Sequence, residues 1–267
     1  MARPFEGLAD ETEWVAMREI VPSATATVTA ALGDGEPRPV TLATVLPGAM
    51  PALRRADGEL LVALQSRTSS GDASRDLASA LLAAAELEPG SPLAGVRPAV
   101  ATTPRLQELL VEQGLDVHVH EDFSFWVGQD EASAEVSAAV EETNEAAVPT
   151  VKLDGLPSAY WCQMGERAYI RWVLAEDEDE ATVALARLQA AGAHTLGDGT
   201  SLLGAFRAAG LLVPVFEVNA GTDPADHAPA LVEMARRYAD ALTVDATLSA
   251  DERRARDGLV SRQVTLR

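Results

Sequence analysis

Residues 170–188, IRWVLAEDEDEATVALARL, contain the pattern of a buried strand and an amphipathic helix in one continuous stretch. The first five residues are apolar except for Arg171, and a short apolar run bounded by polar residues is typical of a buried strand. After the acidic residues 176–180, apolar residues recur at helical spacing at Ala181, Ala184, Leu185 and Leu188. This spacing gives the predicted helix one apolar face.

The same order of a buried strand, a polar or acidic loop and a helix occurs at two other places. Residues 60–64 form a short apolar run before the helical pattern that Asp72 begins, and residues 211–216 precede a helical pattern beyond Asp223. Turn signals that contain Gly come before all three strands, at Asp57-Gly58, Gly165-Glu166 and Asp198-Gly199. Such turns connect antiparallel strands, so each unit is predicted to contain a hairpin followed by a helix.

The predicted fold class is α+β, with a mixed, mainly antiparallel sheet or sheets and helices packed on it. The recurrence of the strand–helix unit indicates two similar halves, each containing β-β-α units, over 1–145 and 146–267. A chain of 267 residues suits either two such domains or one intimate domain. Short strand–helix units also recur by chance in α/β proteins, so both alternatives stay open.

Two predicted helices carry the spacing of a capping box at their start. Asp10 and Glu13 open a helix that ends near Ile20, and Ser249 and Glu252 open another near the end of the sequence. In this motif, the first side chain accepts a hydrogen bond from the backbone three residues later, and the later side chain reaches back. Both helix starts are therefore predicted from local side-chain chemistry.

Three further elements follow from local patterns. Thr103 and Pro104 are typical of a helix start, which predicts a helix that ends at Gly114. Residues 115–127 follow as a predicted strand. Residues 259–266 are predicted to form a terminal strand that pairs with the edge of a sheet.

The charge balance excludes two classes of partner. The chain carries 41 acidic and 21 basic residues, for a net charge of −20. Nucleic acids and anionic membrane surfaces both bind through Lys and Arg, so neither partner is expected.

No run approaches the roughly 20 apolar residues of a membrane span, and the start lacks the apolar core of a signal peptide. The expected location is the cytoplasm, which agrees with a single cysteine, Cys162.

Sequence motifs of the major enzyme classes are absent. There is no Gly-x-Ser-x-Gly elbow, no pair of zinc-binding cysteines and no His-Glu-x-x-His. Lys152 is the only lysine and has no glycine-rich partner, so a phosphate-loop, Schiff-base or kinase-type lysine is not expected. Cys162 has apolar neighbours and no nucleophile signature, which favours a small buried residue over a catalytic thiol.

The pattern most suggestive of chemistry is LDVHVHED, residues 115–122. On a strand, alternate side chains share a face. One face here carries four candidate metal ligands, Asp116, His118, His120 and Asp122. Two imidazoles and a carboxylate can bind a divalent metal, and no other cofactor is expected. The simpler interpretation is a half-buried strand whose polar face meets solvent, because the opposite face is apolar.

The remaining histidines and the acidic run have structural explanations. His194 follows a predicted helix end and His227 lies in an acidic first helical turn, so capping and solvent-facing roles are expected. Residues 176–180 stand at a helix start, where carboxylates interact with the positive end of the helix dipole. They lack the ligand spacing of a calcium loop, so a solvated helix start is expected, with a basic partner as the alternative.

Two segments resemble a known family. The first combines residues 3–8, RPFEGL, with residues 14–22, WVAMREIVP. The second combines residues 199–207, GTSLLGAFR, with residues 210–215, GLLVPV. Together they resemble the two hallmarks of an actinobacterial family of unknown function, over nearly the whole chain. The resemblance implies an actinobacterial, cytoplasmic protein and supplies no catalytic residues.

Two functions follow as hypotheses. The first is a non-enzymatic adaptor module that binds another protein, including a second copy of itself in a homodimer. The terminal strand and the absence of catalytic motifs favour it, and the acidic charge favours a basic partner. The alternative is a metal-dependent hydrolase or small-ligand enzyme that uses His118 and His120 on their strand.

Overall fold

The computed structural model describes residues 3–33, 36–67, 69–112, 114–127 and 134–261. The chain divides into two compact units, Met1–Ala147 and Val148–Arg267. Within the described ranges, seven α-helices accompany two sheets, in which a single strand pair is parallel and the others are antiparallel. The predicted α+β class with mainly antiparallel sheets is therefore confirmed. The similarity of the two halves stays a prediction.

The N-terminal unit contains a seven-stranded sheet. Its strands are β1 (Ala24–Ala30), β2 (Arg38–Ala43), β3 (Ala52–Arg54), β4 (Leu60–Ala63), β5 (Ser91–Leu93), β6 (Leu110–Glu112) and β7 (His118–Val119). The strand order is β5-β3-β4-β2-β1-β6, and β7 also pairs with β1. Strands β2 and β4 run parallel because β3, on the far side of β4, reverses the chain between them.

Four helices of the described chain belong to this unit. They are α1 (Glu11–Glu19), α2 (Ala73–Ala85), α3 (Leu106–Leu109) and α4 (Ala134–Glu145). Trp14 and Met17 of α1 are fully buried, and the Trp14 ring stacks on Phe5 with centroids 5.8 Å apart. Leu77 and Leu81 of α2 are buried at i,i+4 spacing, so one helix face packs inward. A further core cluster contains Ala43, Leu46, Leu61, Ala63, Phe123, Trp126 and Val140.

The C-terminal unit is a five-stranded antiparallel sheet with three helices of the described chain. Its strands are β8 (Thr150–Lys152), β9 (Ala159–Met164), β10 (Arg167–Trp172), β11 (Ser201–Ala208) and β12 (Leu211–Val218). Its helices are α5 (Glu178–Ala190), α6 (Ala228–Leu242) and α7 (Ala250–Ser261). The strand order is β11-β12-β10-β9-β8.

Two hairpins of this unit are each followed by a helix, as predicted. The β9–β10 hairpin precedes α5, and the β11–β12 hairpin precedes α6. The turn of the second hairpin lies at Ala209 and Gly210, not at Asp198-Gly199 as predicted. Ala209 and Gly210 have φ values of 45° and 90°, and two positive φ angles match the twist of a tight hairpin.

The core of this unit lies between the sheet and its helices. Ile170 of β10 is opposite Phe216 of β12, and both are fully buried. The Trp172 ring meets the Tyr238 ring of α6 edge to face, with centroids 5.5 Å apart. The helices contribute Ala181, Ala184, Leu185, Leu188, Leu231, Met234, Ala241 and Leu259. Burial of each large apolar side chain stabilises the fold by about 1.5–3 kcal/mol.

One of the two predicted capping boxes is confirmed. The Ser249 N–H donates to Glu252 Oε2 at 2.6 Å, and the Glu252 N–H donates to Ser249 Oγ at 3.2 Å, at the start of α7. The box at α1 is wrong, because Asp10 has left-handed backbone geometry and its side chain makes no cap. Asp10 Oδ2 instead accepts the backbone N–H of Leu115 at 3.0 Å, 105 residues further along the chain.

The predicted helix over 103–114 is wrong beyond a single turn. Helix α3 comprises only four residues, and Thr103 Oγ1 accepts the N–H of Val100 at 3.0 Å instead of capping a helix. From Leu110 onward the chain pairs with β1 as strand β6. The sheet thus satisfies the backbone groups that a longer helix would have used.

The predicted strand over 115–127 is mostly wrong. Strand β7 has two residues, and a 3-10 turn occupies Ser124–Trp126. The Asp122 carboxylate accepts the N–H of Ser124 at 2.8 Å, which is the hydrogen bond of a side-chain-closed turn. At this turn, Phe123 and Trp126 are buried in the N-terminal core. Burial of two aromatic rings therefore overrides the extended pattern.

The predicted terminal strand over 259–266 is wrong in its described part. Helix α7 continues through Gly258, and residues 262–267 lie outside the described residues. Leu259 follows Ala255 by four positions, and both side chains pack against the C-terminal core. This four-residue spacing places them on one helical face.

Candidate functional site

The imidazoles of His118 and His120 are neighbours in the N-terminal unit. Their ring centroids are 4.6 Å apart, and the rings meet edge to face. His118 is opposite Thr25 of β1, and the backbone N–H of His120 donates to the Ser23 carbonyl at 2.9 Å. The structure therefore brings two of the four predicted ligands together.

His120 is fixed by contacts on two sides. Its Nε2 lies 2.8 Å from Thr25 Oγ1, and the Phe125 ring stacks on the imidazole with centroids 4.8 Å apart. Burial lowers the pKa of His120, the neighbouring His118 lowers it further, and Asp122 opposes the change. The neutral imidazole, which is the form that binds metals, is therefore favoured at this position.

The two carboxylates predicted to join these imidazoles do not complete a ligand set. Asp116 is exposed, and Asp122 Oδ1 accepts the Ser124 N–H. Hydrogen bonds from Ser124 hold the pKa of Asp122 below its usual range. Within the described ranges, no group of three or more His, Cys, Asp and Glu side chains is placed to hold a metal ion. A metal site over these residues stays a prediction that requires a further ligand.

The two remaining histidines are less accessible than predicted, whereas Cys162 is buried as predicted. His227 is 8% exposed, so the predicted solvent-facing role is wrong. Burial lowers the pKa of His227, and Asp226 and the Asn219 backbone oppose this decrease. His194 is half-buried, and burial lowers its pKa as well. Cys162 is buried, as predicted, and burial raises the pKa of its thiol. A protonated, enclosed thiol is a poor nucleophile.

An open groove of about 610 Å³ lies in the C-terminal unit. The residues of its first wall belong to α5 and the residues just before it, namely Glu176, Asp179, Glu180, Val183 and Arg187. The residues of its second wall belong to the end of α6 and the connection to α7, namely Leu242, Val244, Asp245, Ala246 and Thr247. We call this feature, defined by these ten residues, the acidic groove. Its α5 stripe spans about 12 Å from Asp179 to Arg187.

Arg187 connects the two walls of the acidic groove. Its Nη1 donates to the Ala241 carbonyl at 3.1 Å, and its Nη2 donates to the Ala246 carbonyl at 2.6 Å. Its Nε lies 4.0 Å from Glu252 Oε1 at the start of α7. One guanidinium on α5 therefore holds the end of α6 and the segment that leads into α7.

Apolar and charged side chains both line the acidic groove. Val183 and Leu242 are half-buried, as are Glu176 and Arg187. Asp179, Glu180, Asp245 and Val244 are exposed, so aliphatic surface lies beside exposed carboxylates. This arrangement offers both apolar contact and negative charge to a bound segment.

The basic side chains in and near the acidic groove already have partners. Arg207 and Arg236 form ion pairs with other carboxylates, and Arg187 is bound to backbone carbonyls. In the part of the chain that the structure describes, no salt bridge joins Glu180 or Asp245 to a basic side chain. The carboxylates of Glu180 and Asp245 therefore keep their negative charge, whereas Asp179 interacts electrostatically with Arg207.

Sequence reasoning found only one wall of this groove. The acidic run 176–180 predicts a solvated helix start, with a basic partner as the alternative. The spacing from Glu180 through Val183 to Arg187 places these side chains on one helical face, and this signal was available in the sequence. The second wall, residues 242–247, follows no periodic pattern, because its position depends on hydrogen bonds from Arg187.

Comparisons with known proteins bear on the family and not on the site. No helix in the described ranges is both long enough and apolar enough to cross a membrane. Searches among curated proteins and among solved structures return no match to the chain. The model of one family, described as a family of unknown function (DUF5926), matches residues 4–267. Because the match spans nearly the whole sequence, the chain belongs to this family of unknown function.

Proposed function

We propose that this protein is a non-enzymatic adaptor module that binds another protein in the acidic groove. The observation that carries the proposal is the open groove of about 610 Å³, in which half-buried aliphatic side chains lie beside exposed carboxylates. Protein interfaces place apolar contacts at the centre and polar groups at the rim. The acidic groove offers both kinds of contact on one side of a potential interface.

The interior of the acidic groove supplies the apolar contact. Val183 and Leu242 face a bound segment at half-buried positions, and Val244 is 44% exposed. Each 100 Å² of such surface removed from water stabilises a complex by about 2.5 kcal/mol before the costs of association. A bound aliphatic side chain can therefore act as an anchor.

The proposed location is the cytoplasm, and the proposed partners exclude nucleic acids and membranes. The net charge of −20 supports this choice, because phosphate groups and anionic lipids are repelled by an acidic surface. A second copy of the chain in a homodimer is one form that the partner can take. The buried position of the only cysteine agrees with a reducing compartment.

The proposal is tested by filling the acidic groove. Val183→Trp adds a large side chain inside it, and Val151→Trp on β8 adds the same side chain at another exposed position, which serves as the matched control. Native mass spectrometry of the wild type, purified gently from its host, is expected to show an added protein mass. Val183→Trp is expected to lose that mass and Val151→Trp to keep it.

Each outcome of this experiment has a defined meaning. A doubled mass that Val183→Trp removes would identify the partner as a second copy. A wild type without any added protein mass, or equal loss in both variants, would contradict binding in the acidic groove. Circular dichroism and a urea titration confirm that each variant is folded.

A second candidate function is a metal-dependent hydrolase or small-ligand enzyme centred on His118 and His120. The observation in its favour is the 4.6 Å separation of the two imidazole rings, with the neutral form of His120 favoured. Metal analysis of the wild type is expected to show a bound divalent ion that His118→Ala and His120→Ala lose. Equal metal content in the three proteins would contradict this candidate.

A further inference from the structure

We infer that the segment bound in the acidic groove is cationic and amphipathic, with Lys or Arg on either side of an aliphatic anchor. This inference rests on the proposed function and specifies the chemistry of its partner. The partner is a different protein, because this chain has a net charge of −20. A second copy would place exposed carboxylates against an acidic surface.

The two walls of the acidic groove require positive charge at two places. Glu180 stands on α5, and Asp245 stands on the connection that forms the opposite wall. Both carboxylates are exposed, and no salt bridge within the described ranges engages them. A segment with cations on two sides therefore compensates both carboxylates at once, whereas an acidic or neutral segment leaves like or unpaired charges facing each other.

The interior of the acidic groove requires an apolar residue between those cations. Val183 lies between Glu180 and Arg187 on the α5 stripe, and Leu242 lies on the opposite wall. Both side chains are half-buried, so part of each remains available for contact. An aliphatic side chain placed between Val183 and Leu242 gains apolar contact that a polar side chain would not gain.

The length of the α5 stripe limits the segment that can be bound. The stripe of about 12 Å accommodates about eight residues of a helix or about four residues of an extended chain. Glu176 is already engaged by the Tyr238 hydroxyl at 2.8 Å, so cationic contacts concentrate on Asp179, Glu180 and Asp245. A short amphipathic segment, and not a whole domain surface, is the unit that this groove recognises.

The probe for this inference is a pair of fluorescein-labelled peptides of about 12 residues, long enough for three helical turns. One peptide combines Leu with Lys at helical spacing, and the other has the same Leu residues with Glu in place of Lys. Fluorescence anisotropy at low salt is expected to show binding of the Lys peptide alone. Added salt is expected to weaken this binding, because exposed charges are screened.

The decisive comparison uses two double variants with equal changes in net charge. Glu180→Gln with Asp245→Asn removes two carboxylates of the acidic groove. Asp154→Asn with Asp198→Asn removes two exposed carboxylates elsewhere in the same unit, and is the matched control. Each exposed ion pair changes affinity by up to about fivefold, so the groove variant is expected to weaken Lys-peptide binding about tenfold. The control is expected to change it less than about twofold.

The outcomes separate this inference from the proposed function. Equal weakening in both double variants would show a general attraction to an acidic protein and would overturn the inference. Binding of the Glu peptide, or failure of the Lys peptide to bind, would overturn it as well. In either case, loss of a host partner in Val183→Trp would still support protein binding in the acidic groove, through a partner of different charge.

Discussion

The hydroxyl of Tyr238 donates a 2.8 Å hydrogen bond to Oε2 of Glu176, and so links the C-terminal core to the acidic groove. The Tyr238 side chain is buried, 4% exposed, and lies against Trp172. Burial raises the pKa of Tyr238, and the hydrogen bond to Glu176 raises it further. The phenol therefore remains a donor, and one carboxylate of the groove is held in a fixed position.

Replacement of Tyr238 by phenylalanine is expected to reduce the free energy of unfolding by about 2 kcal/mol, because a buried hydrogen bond to a charged group is lost. Urea titration followed by circular dichroism measures this change. Glu176→Gln keeps an acceptor for the hydroxyl and is expected to cost less. An unchanged unfolding midpoint in Tyr238→Phe would contradict a stabilising role for this bond.

Replacement of Arg187 by methionine is expected to reduce the free energy of unfolding by about 2–3 kcal/mol. The variant keeps most of the apolar stem but leaves the Ala241 and Ala246 carbonyls without their charged donor. Arg236→Met is the control, because that side chain is 62% exposed in surface ion pairs and is expected to change stability by at most about 0.5 kcal/mol. Similar midpoints for the two variants in urea would refute the role of Arg187 as the connection between the walls.

Replacement of Ser249 by alanine is expected to destabilise α7 by about 1 kcal/mol, because the Glu252 N–H loses its side-chain acceptor. Ser249→Asp retains an acceptor at the cap and is expected to lose less stability. The measurement is the urea midpoint of each variant, together with hydrogen exchange in residues 250–255. Equal exchange rates in the wild type and the alanine variant would count against the cap.

The stability of the protein is expected to fall as the pH decreases through about 6.5. Burial lowers the pKa of His227 in the folded state below its value in the unfolded state. As the pH falls, His227 of the unfolded chain is therefore protonated before His227 of the folded chain. The stabilisation is present above the unfolded pKa and is lost as the pH falls toward the folded pKa. His227→Gln is expected to reduce the slope of stability against pH in urea titrations. The pKa values of His120 and His194 are lowered in the same way, so part of the slope is expected to remain. Identical slopes in the wild type and the variant would contradict this assignment.

Local patterns predicted the β9–β10 hairpin and its helix correctly, misplaced the turn of the β11–β12 hairpin, and predicted the segment 103–127 poorly. Residues 170–188 contain a short apolar run followed by apolar residues at helical spacing. This pattern predicts β10 and α5. The segment 103–127 instead depends on distant partners. Strand β6 forms by pairing with β1, and burial of Phe123 and Trp126 bends the chain after β7. Neither contact is visible in a local window of sequence.

The candidate sites show the same division between local and distant contacts. Alternation placed His118 and His120 together, and they are adjacent in the structure. Alternation also placed Asp122 beside them, but its carboxylate closes a turn with Ser124. The second wall of the acidic groove is held in place by hydrogen bonds from Arg187 of α5. The spacing of residues on α5 therefore predicts only the first wall.

The hydrogen bond from Leu115 to Asp10 makes the N-terminal unit dependent on the order in which the chain is synthesised. Ser23 Oγ likewise donates to the carbonyl of Asp122, 99 residues later, at 2.7 Å. Residues up to Ser23 leave the ribosome long before either partner exists. Asp10 and Ser23 then remain without these two partners until about 100 further residues have been added, which takes about 5–20 s at ordinary rates of translation. The N-terminal end of this unit therefore completes these contacts only after the segment around residues 115–122 has been synthesised.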